Sequence, residues 1–337
     1  MSRVSSADVT SDEAEVRLDR WFKRHYPGLS HIQLQKLLRK GDVRVDGKRA
    51  KTSTRLEAGQ KIRIPPMDAE ASEAKISETR KPAAASDKDI AELRERVLYI
   101  DDDVIALDKP PGLAVQGGTG ITKSVDAMLG GLMFDKKQKP KLVHRLDKDT
   151  SGVLLLARST AAAAKLADAF RAKTARKVYW AVVVGAPNPL SGRINLALSK
   201  LPGKQGEQMV PDEEKGKRAV TFYRTIEKAG RRATWLSLEP QTGRTHQLRV
   251  HMQALGTPIL GDGKYGGAEA FLQGPGLSRK MHLHARAIRI PHPGGGEIEV
   301  IAPLPKHMEA TWAFLGFDMD LAADPFELPD GEDYPTY

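Results

Sequence analysis

The 337-residue chain contains no cysteine. Disulfides, cysteine zinc sites, iron–sulfur clusters and thiol nucleophiles are therefore excluded, and a reducing cytoplasm is the expected compartment. Long apolar runs are also missing. The longest, at residues 153–157 and 180–184, are strand-sized and far short of the roughly 20 residues that a membrane span needs. The opening MSRVSSADVTSDEAE lacks the apolar core of a secretory signal, so neither export nor a membrane partner is expected. No tandem repeat of solenoid period recurs, which leaves an ordinary globular chain long enough for two domains.

What the sequence has is positive charge, +10 overall with a pI near 9.6, and this favours a polyanionic partner. Residues 1–14 carry −2 and are expected to be disordered. Residues 15–65 hold 14 Lys and Arg against five acids, dense enough to be a footprint for phosphates, and a small domain over 15–66 is predicted. The next stretch is rich in Ala, Ser and Glu, so residues 67–95 are expected to be a linker with a transient helix near its end. Residues 96–317 hold 33 cations against 20 acids, and the last segment, 318–337, is an acidic tail of seven carboxylates without Lys or Arg.

In the small domain, Leu18, Trp21 and Phe22 stand at helical spacing, with Arg17, Arg20, Lys23 and Arg24 interleaved. Pro27-Gly28 ends that helix. Ser30 followed by Gln33 is a capping box, and Leu34, Leu37 and Leu38 carry a second helix to Gly41. Asp46-Gly47 between alternating residues predicts a hairpin, and KIRIP at 61–65 alternates again. The cations Lys36, Arg39, Lys40, Arg44 and Lys48 cross a helix end and this hairpin. A merely soluble surface does not require that cluster.

The large domain opens with two strands over residues 98–108, joined by an Asp-rich turn at 101–103 and stopped by Lys109-Pro110-Pro111-Gly112. Residues 141–159, KLVHRLDKDTSGVLLLARS, read as two buried strands around a polar turn, a good place for a site. Asp147, flanked by Arg145 and Lys148, suits a carboxylate nucleophile or base. The same residue types also suit a tight turn in which Asp147, Asp149, Thr150 and Ser151 only cap and hydrogen-bond. Ser151 lacks a surrounding G-x-S-x-G elbow and is a poor nucleophile candidate. His246, His251, His282 and His284 lack an H-E-x-x-H spacing and are read as hydrogen-bonding strand residues, with no metal expected.

The run His144-Arg145-Leu146-Asp147-Lys148-Asp149-Thr150-Ser151-Gly152 resembles the H-R-L-D-x-x-T-S-G signature of the RluA-type pseudouridine synthases. DDDVIALDKPPGLAVQGG, KVYWAVVVG at 177–185, TGRTHQLRVHM at 242–252 and HLHA at 282–285 are similar to further motifs of that family, in order. LQKLLRKGDVRVDGKRA resembles an S4 RNA-binding domain. The resemblance implies an α+β architecture: a small S4-like domain, then a mixed, mostly antiparallel-sheet catalytic domain with helices such as residues 161–173.

It further implies Asp147 as the catalytic aspartate, Tyr179 as the active-site tyrosine, and Arg249 as the arginine paired with the carboxylate. Arg145 would fill the space left by an unstacked uridine, with His144 and Arg244 beside it on the RNA. In the S4-like domain, Arg20, Ser30 and the five clustered cations would contact RNA backbone. Neither cofactor nor metal is implied. The expected function is uridine-to-pseudouridine isomerisation in large-subunit (23S) ribosomal RNA by a monomer. The alternatives are a transfer-RNA pseudouridine synthase and a non-catalytic RNA-binding or ribosome-assembly factor.

Overall fold

The computed structural model describes residues 5–26, 28–66, 86–118, 121, 123–201, 208–274 and 277–327. The chain divides into two compact units, Met1–Lys81 and Pro82–Tyr337.

The small unit has two helices, α1 (Leu18–His25) and α2 (His31–Lys40), and a four-stranded sheet. Leu18, Trp21 and Phe22 bury one face of α1 against Leu34 and Leu38 of α2 and against Ile62 and Ile64. Each such fully buried side chain contributes about 1.5–3 kcal/mol. The capping box forms as the sequence predicts: Gln33 N donates to Ser30 Oγ at 3.2 Å and Ser30 N to Gln33 Oε1 at 3.0 Å. Gly41, at φ 81°, ends α2 in the left-handed conformation. Asp46 and Gly47 both take positive φ, 48° and 73°, as a tight hairpin between β2 (Arg44–Val45) and β3 (Lys48–Arg49) requires. Pro27 lies outside the described residues.

The expected disorder of residues 1–14 is corrected for residues 5–14, while residues 1–4 lie outside the described residues. Strand β1 (Ser5–Asp8) pairs antiparallel with β4 (Lys61–Ile64), Val9 enters the core, and Glu13 accepts from Trp21 Nε1 at 3.0 Å and pairs with His25. An edge strand held by backbone hydrogen bonds and one valine leaves little trace in composition.

In the large unit, ten strands form one sheet, and every pairing is antiparallel except that of β15 (Leu283–Pro291) with β8 (Ser151–Ala157). On one side of that junction lie β5 (Val97–Ile100) and β6 (Val104–Lys109), with β7 (Lys141–Leu142) also pairing β8. On the other side lie, in order, β9 (Arg176–Val184), β14 (Ala233–Pro240), β13 (Val220–Ala229) and β10 (Ser191–Asn195). Strand β16 (Glu297–Ile301) pairs with β15. The hairpin of β11 (Leu198–Leu201) and β12 (Gln208–Pro211) stands apart from the sheet, and residues 202–207 lie outside the described residues.

All seven residues of β8 are buried, covered on one face by Ala162 and Leu166 and on the other by Val125, Met128 and Leu132. Gly152, the second residue of this strand, takes φ 104°, and a Cβ there would come within 2.2 Å of the Ala285 carbonyl oxygen. Only glycine lets β8 and β15 meet there.

Two further expectations are corrected. The predicted linker ends in a packed helix, Asp87–Arg94, capped by Ser86; its Leu93 is buried with Ile105 and Leu132, and Arg94 Nε donates to Gly131 O at 2.6 Å. Residues 67–85 lie outside the described residues. The acidic tail begins as part of the body: Ala322 and Phe326 are buried in the cluster of Trp180, Trp235 and Trp312, and Arg289 stacks on Phe326 at 4.3 Å. Alternating acids and apolar residues conceal those anchors. Among the described residues no helix is long and apolar enough to cross a membrane.

Candidate active site

The signature turn is fixed from both ends. Leu146 is buried, and Thr150, also buried, donates its N–H to Asp147 O at 3.2 Å. His144 Nε2 accepts the Leu155 N–H at 2.8 Å, and burial pushes its pKa down to about 3, so the ring is neutral. Lys109 is fully buried and donates to the carbonyls of Pro110, Leu113 and Lys148 at 2.9, 2.9 and 3.0 Å. Burial pulls its pKa down to about 7, against the upward pull of Asp149, Asp147 and Asp108. The Lys-Pro-Pro-Gly stop thus clamps the carbonyl one residue beyond Asp147, and Gly112 N donates to the same oxygen at 2.9 Å.

Opposite Asp147 stands a helix, Gln247–Ala254, where His246 and His251 were expected on a strand. Gln247 secures its start: its amide donates to Val220 O and Thr221 Oγ1, both at 2.9 Å, and its carbonyl oxygen accepts from Thr242 Oγ1 at 2.7 Å. His246 precedes the helix in the left-handed conformation, φ 53° and ψ 20°. This turns its ring toward the site, with Nε2 4.0 Å from Asp147 Oδ2 and Nδ1 2.7 Å from the Tyr265 hydroxyl. Burial lowers the His246 pKa, and Asp147 acts against that shift.

Arg249 is buried and meets two carboxylates, the expected Asp147 and, more closely, Asp262. Its fork closes on Asp262, Nε to Oδ2 at 2.7 Å and Nη2 to Oδ1 at 2.6 Å, while Nη1 faces Asp147 Oδ2 at 3.9 Å. Tyr265 lies under the guanidinium, 4.9 Å from its carbon. Burial opposes the charge, but the hydrogen bonds to Asp262 raise the Arg249 pKa above its ordinary value. The Asp147 carboxylate therefore meets a cation whose other edge is already neutralised. Asp262 and Tyr265 belong to residues 259–267, ILGDGKYGG, which sequence reasoning passed over; an acid between two glycines with a tyrosine close behind was the available signal.

Tyr179, on β9, shares the cavity with Asp147 and Arg249. Burial and the Asp147 charge push its phenol above the ordinary range, so its hydroxyl keeps its proton at neutral pH. Arg145 and Arg244 are exposed at the rim, and Arg244 Nε donates to Arg218 O at 3.1 Å. The cavity has a volume of about 500 Å³, within the usual range for small-molecule sites, and among the described residues Asp147 is the only carboxylate lining it. The other three candidate histidines make internal hydrogen bonds: His251 bonds Thr221 Oγ1 at 2.9 Å, His282 bonds Thr311 Oγ1 at 2.7 Å, and His284 bonds Ser151 Oγ at 2.9 Å.

In the small unit, Arg20, Lys36, Arg39, Lys40 and Lys48 are exposed. Ser30 and Arg44 also serve the fold of the small unit. The Ser30 hydroxyl caps α2, and Arg44 donates to Gly41 O at 3.2 Å and Gly47 O at 3.1 Å, bracing the hairpin.

Residues 103–254 match the family model described as RNA pseudouridylate synthase, and residues 16–62 match that of the S4 domain. The chain is 38% identical over 307 residues to "Ribosomal large subunit pseudouridine synthase C" of Escherichia coli K12, covering 89% of this chain and 93% of that protein. It is 36% identical over 311 residues to the protein of the same name from Vibrio cholerae, covering 91% and 96%. Among solved structures, "Human RNA Pseudouridylate Synthase Domain Containing 4" superposes with a TM-score of 0.58 at 27% identity, covering 68% of this chain and 96% of that one.

Proposed function

The chain belongs to the RNA pseudouridylate synthase family, and on that premise we propose that it converts specific uridines of large-subunit (23S) ribosomal RNA to pseudouridine in the cytoplasm. The observation that carries this reading is the convergence of Asp147, Tyr179 and Arg249, from a turn, a strand and a helix, on one cavity. Support for the substrate comes from the relatives named for the ribosomal large subunit, matched over nine-tenths of the chain.

The reaction breaks the uridine N1–C1′ bond, turns the base and joins C5 to C1′. C5 gives up its proton and N1 regains one, so no electrons are gained or lost and the bond changes call for no cofactor. Asp147 acts on the ribose or the base, as nucleophile or as base. Arg249 and His246 hold the carboxylate from one side, and Tyr179 offers a flat ring for the uracil and a hydroxyl that stays protonated. A uridine in folded RNA must leave its stack to reach Asp147, at a cost of a few kcal/mol. Arg145, exposed at the rim, fills the vacated space. If Arg145→Lys restores full activity where Arg145→Ala loses it, charge alone suffices and the insertion role falls.

The function is tested by mapping pseudouridine in ribosomal and transfer RNA from cells lacking the protein, then complementing them. Specific large-subunit sites should be lost and should return with wild type but not with Asp147→Ala. Loss only in transfer RNA would reassign the substrate, and no loss at all would leave a binding or assembly factor.

A further inference from the structure

The hollow at Asp147 does not end at Arg244. A second, of about 230 Å³, shares Arg171, Lys177 and Arg244 with it, and a third, of about 390 Å³, shares Lys173, Gln241 and Thr242 with the second. Among the described residues no carboxylate lines either extension, although the chain carries 43 acids against 53 Lys and Arg. The third hollow is framed by Lys173, Arg193 and Arg218 around a partly exposed aromatic ring, Phe222.

Register shows where this leads. Tyr179 on β9 pairs with Leu238 on β14, and Leu238 with Tyr223 on β13. Tyr223 thus lies two strand spacings, roughly 10 Å, from Tyr179. Phe222, the next residue, points to the opposite face, beside Arg193 of β10. The groove therefore starts on the face that holds Asp147, rounds the strand ends at residues 240–244 and reaches Phe222 on the other face, a path a few nucleotides span. Glu239, opposite Phe222 in the ladder, is buried, and Arg176 forks onto its carboxylate, with Nη2 to Oε1 at 2.7 Å. Its charge is met before it can repel a phosphate.

We propose that this groove carries the single-stranded RNA next to the target uridine, with Lys173, Arg193 and Arg218 along its phosphates and one unpaired base stacked on Phe222. The assignment rests on the reading of the Asp147 cavity as the uridine site. Cations alone would suit a duplex equally; the accessible ring among them favours a splayed strand, since base–aromatic stacking needs an unstacked base.

The test uses the full chain and fluorescently labelled oligouridylates of three and nine nucleotides, with binding titrated over a range of salt. Phe222→Leu removes the ring at similar volume, and Phe222→Trp keeps a ring. The nine-mer should bind about ten-fold or more weaker to Phe222→Leu, the three-mer should be little affected, and Phe222→Trp should restore the nine-mer. Replacing the exposed Lys173 and Arg218 by Gln should flatten the nine-mer's salt slope by about 0.7 for each cation removed. Thermal melting separates misfolding from lost stacking. Equal nine-mer affinity for Phe222→Leu and wild type, with or without a changed salt slope, overturns the single-strand track. Absence of pseudouridine formation by wild type would instead overturn the uridine-site reading, and these binding comparisons do not depend on it.

Discussion

In the small unit, Lys36, Arg39, Lys40 and Lys48 are exposed along a helix end and a hairpin, and its one deeply held carboxylate among the described residues, Glu13, braces Trp21 and His25. In the large unit the decisive charges are inside: Lys109 is closed onto three carbonyls and Arg249 onto Asp262 behind Asp147. Exposed cations bind a polyanion additively and respond to salt. Buried ones fix geometry, and removing one partner strands the other. The small unit thus offers a surface of independent exposed charges, and the large unit a site in which each charge depends on the next.

The largest effect expected from breaking that contrast is at Asp147. Asp147→Asn keeps shape and should lower turnover on the order of 10⁴-fold or more, with RNA affinity little changed in a binding titration. Next is Asp262. Asp262→Ala leaves Arg249 buried without its fork partner and should cost about 3–5 kcal/mol of stability, read by denaturant unfolding. Asp262→Asn should lower turnover and narrow its pH profile even where the protein stays folded, and Arg249→Lys, which cannot reproduce the fork, should not rescue it.

Acid should distinguish the units. Burial holds His251 and His282 at about 4 and His284 at about 3, below the ordinary 6.5. Between about pH 6.5 and 4 the unfolded chain binds protons that the folded large unit excludes, so its stability falls as pH drops through that window. In the small unit burial acts to raise the Glu13 pKa, but hydrogen bonds from His25, Trp21 and Thr10 win and hold it at about 2, so its loss begins only below the ordinary 4.5. A Trp21→Phe full chain keeps three tryptophans, all in the large unit, and their melting temperature should fall between pH 7 and 5. A melting temperature flat over that range would contradict the assignment. The smallest stability effect belongs to Lys36, Arg39 and Lys40: triple Gln replacement should change stability by no more than about 0.5 kcal/mol per site while weakening RNA binding and flattening its salt dependence.

Legibility in the sequence followed the range of the interactions. The Ser30–Gln33 box, the Asp46-Gly47 turn, the strands near residues 98–108 and 177–185 and the helix near 161–173 rest on neighbours a few residues apart, and each forms. The helix at Gln247–Ala254 was hidden because its first turn lacks an ordinary cap and is held instead by Gln247 reaching Val220 and Thr221. Asp262 was hidden because its loop has no periodicity and its meaning lies in Arg249, which only the fold brings to it. Strand β1 was hidden because an edge strand needs backbone partners more than apolar side chains.

The central claim, that Asp147 performs the isomerisation in a site held by buried charges, is tested most directly by tritium release from large-subunit ribosomal RNA carrying 5-tritiated uridine. Joining C5 to C1′ expels that hydrogen. Wild type should release tritium in proportion to the pseudouridine formed, and Asp147→Asn should bind the same RNA with unchanged affinity and release none. Release by Asp147→Asn at the wild-type rate would contradict the account.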